Sequence, residues 1–345
     1  SDQWEFPKIG SANNLDIVTW NCEFFPHAGD STIQALSEAI IEFDVDIIAL
    51  QEIKRRGWFS KLMKNIPNYG FVISRQSSFM DMAILYKKSM FEVKRHYEVF
   101  ADNDYNFAGR PPLQVDFLLS SKEGDIPLSI INLHMKCCDS GLNRRKKASQ
   151  MLYDYVNNMH ESTNLIILGD WNDDTKDKDG QHCFDPFFND KKYYFPTFEL
   201  SYDVTQASYP KEPYVSFLDH ILISESFLPK GSEFHIETIR LGDYMGGFDV
   251  YESYISDHRP VMWKFIINDE VLQTGLVINE IMNNPSVLID SNEEWFEIIN
   301  IGDDLIDLYG LTIKDQGTDL HVINEHLYID TNELLVLGAS IDQSI

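Results

Sequence analysis

Residues 165–172 read LIILGDWN, a short apolar run that ends in Gly169, Asp170, Trp171 and Asn172. An apolar run of this length that is bounded by glycine is typical of a buried strand. A carboxylate at the exit of such a strand is held rigidly at the edge of the sheet. Residues two apart on an extended segment face the same way, so we expect Asp170 and Asn172 to point together. An Asx turn after the strand is the structural alternative.

The same arrangement recurs elsewhere along the chain. Three more apolar runs lead to a polar side chain: Leu15–Thr19 to Asn21, Ile47–Leu50 to Glu52, and Ser129–Leu133 to His134. Two further signatures are Leu218-Asp219-His220, inside the apolar run Phe217–Ile223, and Ser256-Asp257-His258. Collected on one sheet edge, these acids, amides and histidines suit metal-assisted hydrolysis of a phosphate ester.

Three of these residues are candidate metal ligands. Glu52 alone would usually be a surface glutamate, but beside Asn21 and Asp257 it becomes a credible ligand for Mg²⁺, Mn²⁺ or Ca²⁺. Several carboxylates without a basic complement would repel one another and raise their own pKa values. A bound cation removes that penalty, so the sequence implies one.

The remaining polar groups suggest catalytic roles. Asp170 could accept a proton from the attacking water, while the Asn172 amide donates to a phosphate oxygen. Asp219 is costly inside an apolar strand unless it is paired, and pairing with His258 would favour the imidazolium. A protonated His258 could then stabilise charge on the phosphoryl oxygens.

Two further residues are weaker candidates. His134 could donate to a phosphate oxygen or assist the leaving group, with Asp81 as its candidate partner. Arg110 lies in a loop shaped by glycine and proline, and its guanidinium suits a phosphodiester anion. A solvent-exposed loop arginine is the alternative.

Composition sets limits on these hypotheses. The 345 residues are 43% hydrophobic, which allows a large core and more than one domain. The net charge of -27, from 55 acidic and 28 basic residues, argues against a general nucleic-acid-coating protein. It does not exclude an enzyme that meets nucleic acid through a local site and bound cations.

The four cysteines, Cys22, Cys137, Cys138 and Cys183, lack zinc-ligand spacing. We expect Cys183 to form a disulfide with Cys137 or Cys138, which would imply an oxidising compartment. The chain starts at Ser1 and contains no apolar run of about 18 residues, so we expect a trimmed product with no membrane span.

Helical and strand-like patterns alternate up to residue 268. One helix is expected to be capped at Ser31 or Thr32, and a second to begin at a basic, solvated segment, Arg144–Lys147, and to reach Met159. Strands are predicted at Phe71–Ser74, Ala83–Tyr86, Leu113–Leu119, Phe217–Ile223 and Val261–Ile267. This mixed order favours two sheets covered by helices.

The C-terminal segment differs in character. Residues 275–345 hold 14 acidic residues and one basic residue, Lys314. Short strands separated by turns rich in Asn, Asp, Gly and Pro predict a small β-sandwich, with Asn268–Gly275 as the linker. The predicted strands are Leu276–Ile281, Trp295–Asn300, Leu311–Lys314, His321–Ile323 and Leu334–Leu337.

The ordered set WN, QE, NLH, GDWN, LDH and SDH resembles the endonuclease/exonuclease/phosphatase superfamily. The resemblance implies an α/β fold with a four-layered α/β/β/α sandwich over residues 1–268 and a metal-dependent phosphoesterase. It implies that Asn21, Glu52 and Asp257 form the metal side and that Asp170 is the base, with Asn172 beside it. It also implies an Asp219–His258 dyad and a second catalytic histidine, His134.

Residues 276–345 resemble a lamin-tail-type β-sandwich, an Ig-like fold. They lack the last strands of such a domain, so we expect it to be incomplete. The resemblance implies binding to protein or to a cell surface, and secreted bacterial nucleases carry such domains. Secretion or a periplasmic location is therefore expected.

Three functions follow as hypotheses. The first is a secreted, metal-dependent DNA endonuclease. The second is a sphingomyelinase-like phosphodiesterase or a phosphatase on the same site, which would need an exposed aromatic hairpin such as Tyr193–Phe195 or Tyr244–Phe248. The third is an inactive binding or adhesion protein, which the intact polar set disfavours.

Overall fold

The structure, a computed structural model, describes residues 3–11, 14–120, 125–158, 164–227, 234–266, 276–282, 295–300, 305–314 and 320–338. The chain divides into two compact units, Ser1–Ile267 and Asn268–Ile345. The predicted linker, Asn268–Gly275, lies outside the described residues.

Two six-stranded sheets form the framework of the first unit over its described residues. The first sheet has the order β11-β12-β1-β2-β4-β3. Its strands are β1 (Asn14–Phe25), β2 (Ile47–Ile53), β3 (Tyr69–Ile73), β4 (Asp81–Lys87), β11 (Phe234–Thr238) and β12 (Val261–Ile266). Only the β1–β2 pairing is parallel among the pairings described for this sheet.

The second sheet has the order β5-β6-β7-β8-β10-β9. Its strands are β5 (Phe91–Glu98), β6 (Leu113–Leu119), β7 (Ile126–His134), β8 (Asn164–Asp170), β9 (Tyr193–Tyr194) and β10 (Asp219–Ser224). Here β7 and β8 are parallel neighbours. Both sheets therefore contain one central parallel pair whose carboxyl ends reach a common edge.

Strand alternation explains how the sheets stack. Successive side chains of a strand point to opposite faces. In β1, Ile17 packs into the core between the two sheets, whereas Val18 packs against the helices. In β8, Ile166 faces the other sheet and Ile167 faces the helical layer. Each of these apolar runs covers both faces, so the central strands of each sheet are buried on both sides.

The helices form the outer layers. They are α1 (Asp30–Phe43), α2 (Arg56–Asn65), α3 (Leu142–Asn157), α4 (Asp185–Phe188), α5 (Gly242–Met245) and α6 (Phe248–Tyr254). Side chains of α1 and α2 pack on the first sheet, and those of α3 and α4 pack on the second. The predicted four-layered α/β/β/α fold class is confirmed.

The helix starts differ from the prediction in two respects. Gly29, rather than Ser31 or Thr32, precedes the first turn of α1, because the Thr32 hydroxyl instead accepts from Ala28 N and donates to Tyr254 O. Arg145 in the basic start of α3 is buried rather than solvated. Met159 lies outside the described residues.

The second unit consists of small antiparallel sheets. Its described strands are β13 (Leu276–Met282), β14 (Trp295–Asn300), β15 (Ile306–Asp307), β16 (Thr312–Lys314), β17 (Leu320–Val322), β18 (Tyr328–Ile329) and β19 (Leu334–Gly338). They pair as β13-β14-β19, β15-β18 and β16-β17 around buried Ile298, Leu308, Ile323 and Ile329. This arrangement is consistent with the predicted small β-sandwich.

Among the residues that the structure describes, no helix is both long enough and apolar enough to span a lipid bilayer.

Candidate active site

Strand pairing places the predicted residues side by side. His134, the last residue of β7, is the register partner of Asp170, the last residue of β8. Asp170 is in turn opposite Asp219, the first residue of β10. On the other sheet, Asn21 of β1 is paired with Gln51, next to Glu52. The ends of β2, β7 and β8, the later part of β1 and the start of β10 thus meet at one edge.

A buried polar clamp joins the two sheets at this edge. Gln51 Nε2 donates to Asn132 Oδ1 at 2.8 Å, and Asn132 Nδ2 donates to the carbonyls of Leu50 and Ala83, each at 3.0 Å. Buried amides need such partners, and a satisfied network fixes their geometry. The QE and NLH signatures therefore contain residues that hold the sheets in register beneath the site.

Asp170 lies at the centre of the site. Its Oδ2 accepts from Asn21 Nδ2 at 2.9 Å, and its Oδ1 accepts from Asn172 N at 2.8 Å. The Nε2 atoms of His134 and His258 lie 3.4 Å and 4.0 Å from Oδ2. Burial, together with the charge of Asp219, raises the pKa of Asp170 to about 7 against the opposing effect of His258.

The predicted pairing of Asp219 with His258 is present. Asp219 Oδ2 lies 2.7 Å from His258 Nδ1, and both side chains are buried. Burial alone would lower the pKa of His258, but the charge and hydrogen bond of Asp219 outweigh it and raise that pKa well above its usual value. The tilted ring of Tyr209 packs on the imidazole, with centroids 5.1 Å apart. His258 is therefore held as an imidazolium.

His134 has the opposite character. Its Nε2 lies 3.7 Å from Glu52 Oε1, and its Nδ1 has no hydrogen-bond partner among the described residues. Burial, with the nearby charge of Arg110, lowers its pKa well below the usual value, so the ring is neutral. The expected partner was wrong: Asp81 instead binds Arg56, which donates to both of its carboxylate oxygens at 2.6 and 2.9 Å.

The predicted metal side contains one more acid than the sequence indicated. Asn21 Nδ2 donates to Glu52 Oε1 at 3.2 Å, and Phe24 N donates to Glu52 Oε2 at 2.9 Å. Asp257 N donates to Glu23 Oε2 at 3.0 Å. Burial raises the pKa values of both Glu23 and Asp257, and the charge of Asp257 adds to the effect on Glu23.

The cleft is strongly acidic. Its lining includes one arginine, Arg145, and eight carboxylic acids: Glu23, Glu52, Asp139, Asp170, Asp173, Asp174, Asp177 and Asp257. Arg145 is already neutralised by Asp173, since its Nε lies 3.0 Å from Oδ2. An anionic phosphate would not enter such a site unless cations were present. The donor set, oxygen-rich and crowded, fits a hard divalent cation.

A second arrangement of possible ligands exists at the same place. Ligand atoms of Asp170, Asp219 and His258 lie within 4.8 Å of one another, close enough to hold a metal ion. An imidazolium has no free lone pair for a metal, however, and His258 Nδ1 is engaged by Asp219. The raised pKa of His258 therefore favours the Glu52 side of the cleft.

Arg110 and Asn172 are placed near the site but make local contacts. Arg110 is buried, and it donates through Nε to His134 O at 3.1 Å and through Nη2 to Met135 O at 2.6 Å. Asn172 Nδ2 also donates to Met135 O, at 3.2 Å. Both side chains fix the backbone that follows His134, and a phosphate contact by either stays a prediction.

Backbone conformation is unusual around the cleft. Glu23, Phe24, Glu52 and Asn172 have φ values of 29°, 49°, 62° and 53°, a region that non-glycine residues rarely adopt. Such residues cluster where the fold must aim a side chain. Gly169 has φ 145°, and a Cβ there would lie 2.0 Å from Leu133 O. Glycine is required because β7 and β8 approach closely beside Asp170.

The cysteine prediction was wrong. All four cysteines are free, and Cys183 is buried in the core beneath α3 and α4. Cys137 and Cys138 instead line the cleft. The buried Arg145–Asp173 pair was also missed, because nothing in the local pattern distinguishes Arg145 from its solvated neighbours.

Two six-stranded sheets between helical layers, with an acidic cleft at one edge, place the protein in the α/β/β/α fold class. The Endonuclease/Exonuclease/phosphatase family profile matches residues 18–258, so the chain belongs to this family. Members of the family are divalent-metal-dependent phosphoric ester hydrolases. No curated protein matches the chain significantly.

Several solved structures share the fold at low identity. D. rerio TDP2 complexed with single strand DNA product is 17% identical over 73% of this chain and 98% of its own, with a TM-score of 0.57. The human Nocturnin catalytic domain with bound sulfate is 16% identical over 76% and 96%, with a TM-score of 0.53. A Bacteroides vulgatus endonuclease/exonuclease/phosphatase is 12% identical over 73% and 98%, with a TM-score of 0.53.

Proposed function

We propose that this protein is a divalent-metal-dependent phosphodiesterase that hydrolyses nucleic acid, with DNA as its first candidate substrate and endonucleolytic cleavage as its mode. The observation that carries the proposal is the position of Asp170. Its carboxylate lies between an amide of the other sheet, a neutral His134 and a protonated His258. Asp170 can thus act as a base, with His134 and His258 as hydrogen-bond donors on either side of it.

Asp170 is the proposed general base for the attacking water. A base with a pKa near the working pH combines availability with proton affinity, and a pKa of about 7 meets this condition. Asn172 N and Asn21 Nδ2 each donate to one oxygen of Asp170. These bonds fix the orientation of the carboxylate, so its remaining lone pairs are directed consistently toward water.

The two histidines act on the phosphate oxygens. His258, as an imidazolium oriented by Asp219, donates a charged hydrogen bond to oxygens whose negative charge grows in the transition state. His134 stays neutral at physiological pH and donates without adding net charge. Two donors with different charge states allow one to stabilise the phosphoryl group while the other assists the leaving oxygen.

The metal would be held by Glu52, Asn21 and Asp257, with Glu23 adjacent. When bound, a divalent cation screens the acidic cleft and polarises the phosphate. Mg²⁺ is the first candidate and Mn²⁺ or Ca²⁺ are alternatives, because all three prefer oxygen ligands.

Nucleic acid is preferred to phospholipid as the substrate class. Neither aromatic segment that could dock on a membrane forms an exposed hairpin, since Tyr244–Phe248 runs from the end of α5 to the start of α6. Phe195 is buried, and Tyr193 and Tyr194 form the short edge strand β9, in which Tyr193 packs on the helical layer. The TDP2 structure with a single strand DNA product supports nucleic acid as a ligand of this fold. An inactive binding protein would not need the paired charges of Asp170, Asp219 and His258.

Localisation and the second unit complete the proposal. We propose secretion or a periplasmic location, and we propose that residues 276–345 form a lamin-tail-like domain that attaches the enzyme to protein or to a cell surface. The many acidic residues and short paired strands of this unit are compatible with a surface-binding β-sandwich.

A substrate panel tests the function. Purified protein is incubated with plasmid DNA, RNA, sphingomyelin or a phosphate monoester, each with Mg²⁺, Mn²⁺, Ca²⁺ or EDTA. We expect plasmid nicking that EDTA abolishes and that Asp170→Ala reduces by about 10²–10⁴-fold. Nicking that persists in EDTA would refute the metal dependence. Release of phosphocholine from sphingomyelin without nicking would show that the substrate is a phospholipid.

A further inference from the structure

The segment after His134 carries two adjacent thiols in the wall of the cleft. Cys137 and Cys138 both line it, Cys138 is exposed and Cys137 is half-buried. Their sulfur atoms lie 2.9 Å apart, with Cys138 donating to Cys137, and Lys136 Nζ lies 3.3 Å from Cys137 Sγ. The other two cysteines, Cys22 and Cys183, are 0% and 1% exposed. The accessible sulfur chemistry is therefore concentrated beside the active site.

We propose that Cys137 and Cys138 form a reversible dithiol–disulfide switch that controls access to, or the geometry of, the phosphoesterase cleft. The effect of the switch on hydrolysis rests on the proposed function, whereas formation of the disulfide does not. The oxidant class is a small-molecule disulfide such as oxidised glutathione, which the exposed face of the pair can meet.

The two sulfurs have distinct roles. Although burial opposes it, hydrogen bonds from Cys138 and Lys136 lower the pKa of Cys137, so Cys137 is the better nucleophile. Its thiolate attacks glutathione disulfide, forming a mixed disulfide and releasing one glutathione thiolate. Cys138 then attacks the Cys137 sulfur, its proton leaves with the second glutathione, and the protein has lost two electrons and two hydrogens.

The switch is connected to the active site through the backbone. Arg145 Nη1 donates to Lys136 O at 2.9 Å and to Cys138 O at 2.8 Å, while its Nε pairs with Asp173. Arg110 holds His134 O and Met135 O at the other end of the segment. Cys138 has φ 69°, so its conformation already departs from the ordinary regions. Neighbouring Cα atoms are about 3.8 Å apart, less than most disulfides span, so closing the ring must shift this backbone.

The chemical test uses mass, independently of activity. Reduced full-length protein is equilibrated with glutathione disulfide, trapped with iodoacetamide and digested. We expect the wild-type peptide to lose two hydrogens and both alkylation sites, with no retained glutathione. Cys138→Ser should retain one glutathione on Cys137, whereas Cys137→Ser should react much more slowly. Two free thiols, a retained adduct in the wild type, or equal reaction of the two variants would each overturn the switch.

The activity test compares the hydrolysis rates of the oxidised and reduced forms of the same protein. Oxidation should lower hydrolysis of the best panel substrate by about tenfold or more in the wild type, because small displacements of positioned groups reduce rates steeply. Dithiothreitol should restore the rate, and the double variant Cys137→Ala/Cys138→Ala should show an oxidised-to-reduced ratio near one. If the disulfide forms without changing the hydrolysis rate, the proposal that it controls the phosphoesterase cleft is refuted. Absence of hydrolysis on every substrate would instead refute the proposed function and leave the mass result standing.

Discussion

Asp219 Oδ2 lies 2.7 Å from His258 Nδ1, and this contact directs the other imidazole nitrogen, Nε2, toward Asp170. The imidazolium is thus stabilised by one carboxylate and presented beside another. Both acids belong to adjacent strands and are register partners. The protonation state of the site therefore follows from the pairing of β8 with β10.

The first prediction concerns this dyad. In Asp219→Asn, burial would dominate and the pKa of His258 would fall, because the main cause of its elevation is lost. Because the imidazolium would then lose its proton at a lower pH, the alkaline fall in kcat/KM should begin at a lower pH than in the wild type. We expect a loss of about 10²–10⁴-fold near neutral pH. Asp154→Asn, an exposed change on α3, is the control, and an unmoved alkaline limb would count against the dyad.

The second prediction concerns the cation. A ligand that binds only the folded state at 100 times its Kd stabilises the protein by about 2.7 kcal/mol. Mg²⁺ or Mn²⁺ should therefore raise Tm relative to EDTA, and Glu52→Gln should remove most of the rise because it replaces a carboxylate of the acidic edge. Glu225→Gln changes an exposed glutamate and should keep the full rise. Thermal unfolding with and without metal measures this, and an undiminished rise in Glu52→Gln would place the cation elsewhere.

The third prediction uses the amide that links both sheets. Asn21→Asp removes the donor to Asp170 and Glu52 and adds a charge between them. In EDTA we expect a lower Tm than for the wild type. The unfolding free energy should fall by on the order of 3 kcal/mol, since like charges meet in a buried place. A divalent metal should stabilise Asn21→Asp by more than it stabilises the wild type. Asn68→Asp in an exposed turn controls for added charge, and equal metal responses would argue against this role of Asn21.

Strand exits made much of the site predictable from sequence. The apolar runs before Asn21, Glu52, His134 and Asp170 are local signals, and parallel neighbours deliver their ends to one edge. Glu23 carried a weaker signal: it lies two residues beyond Asn21, but its position depends on left-handed backbone at Glu23 and Phe24. That conformation is set by tertiary contacts, which a pattern of residue types does not encode.

Long-range pairing explains the other differences. Asp81 was expected at His134 because it precedes the predicted strand Ala83–Tyr86. Arg56 at the start of α2 instead donates to both of its carboxylate oxygens. Arg145 is buried because Asp173 and two carbonyl oxygens satisfy its guanidinium. Cys183 is turned into the aromatic core around Trp171 instead of the cleft. The charged partners lie outside any local pattern, because Arg56 is 25 residues from Asp81 and Asp173 is 28 residues from Arg145.

The last prediction concerns stability away from the site. Asp46 is buried, and its Oδ2 accepts from Asp16 N at 2.9 Å while its Oδ1 lies 3.1 Å from Lys87 Nζ. Burial, which outweighs these partners, raises the pKa of Asp46 to about 6 from an unfolded value of 3.8. The folded state therefore binds this proton more tightly, so its stabilising contribution is complete below the unfolded pKa and is lost as pH rises through about 6.

Asp46→Asn removes this titration. Lys87 keeps Asp44 as a partner in the variant, since its Nζ lies 3.0 Å from Asp44 Oδ1. The ion pair with Asp46 forms in the wild type only as Asp46 ionises, so its loss belongs to the same titration. The unfolding free energy of the variant minus that of the wild type should thus increase between about pH 4 and pH 7, by up to roughly 3 kcal/mol. Urea unfolding at several pH values measures the difference, with Asp154→Asn expected to give a flat line. A difference that falls with pH would mean that Lys87 outweighs burial and that Asp46 is ionised throughout the folded state.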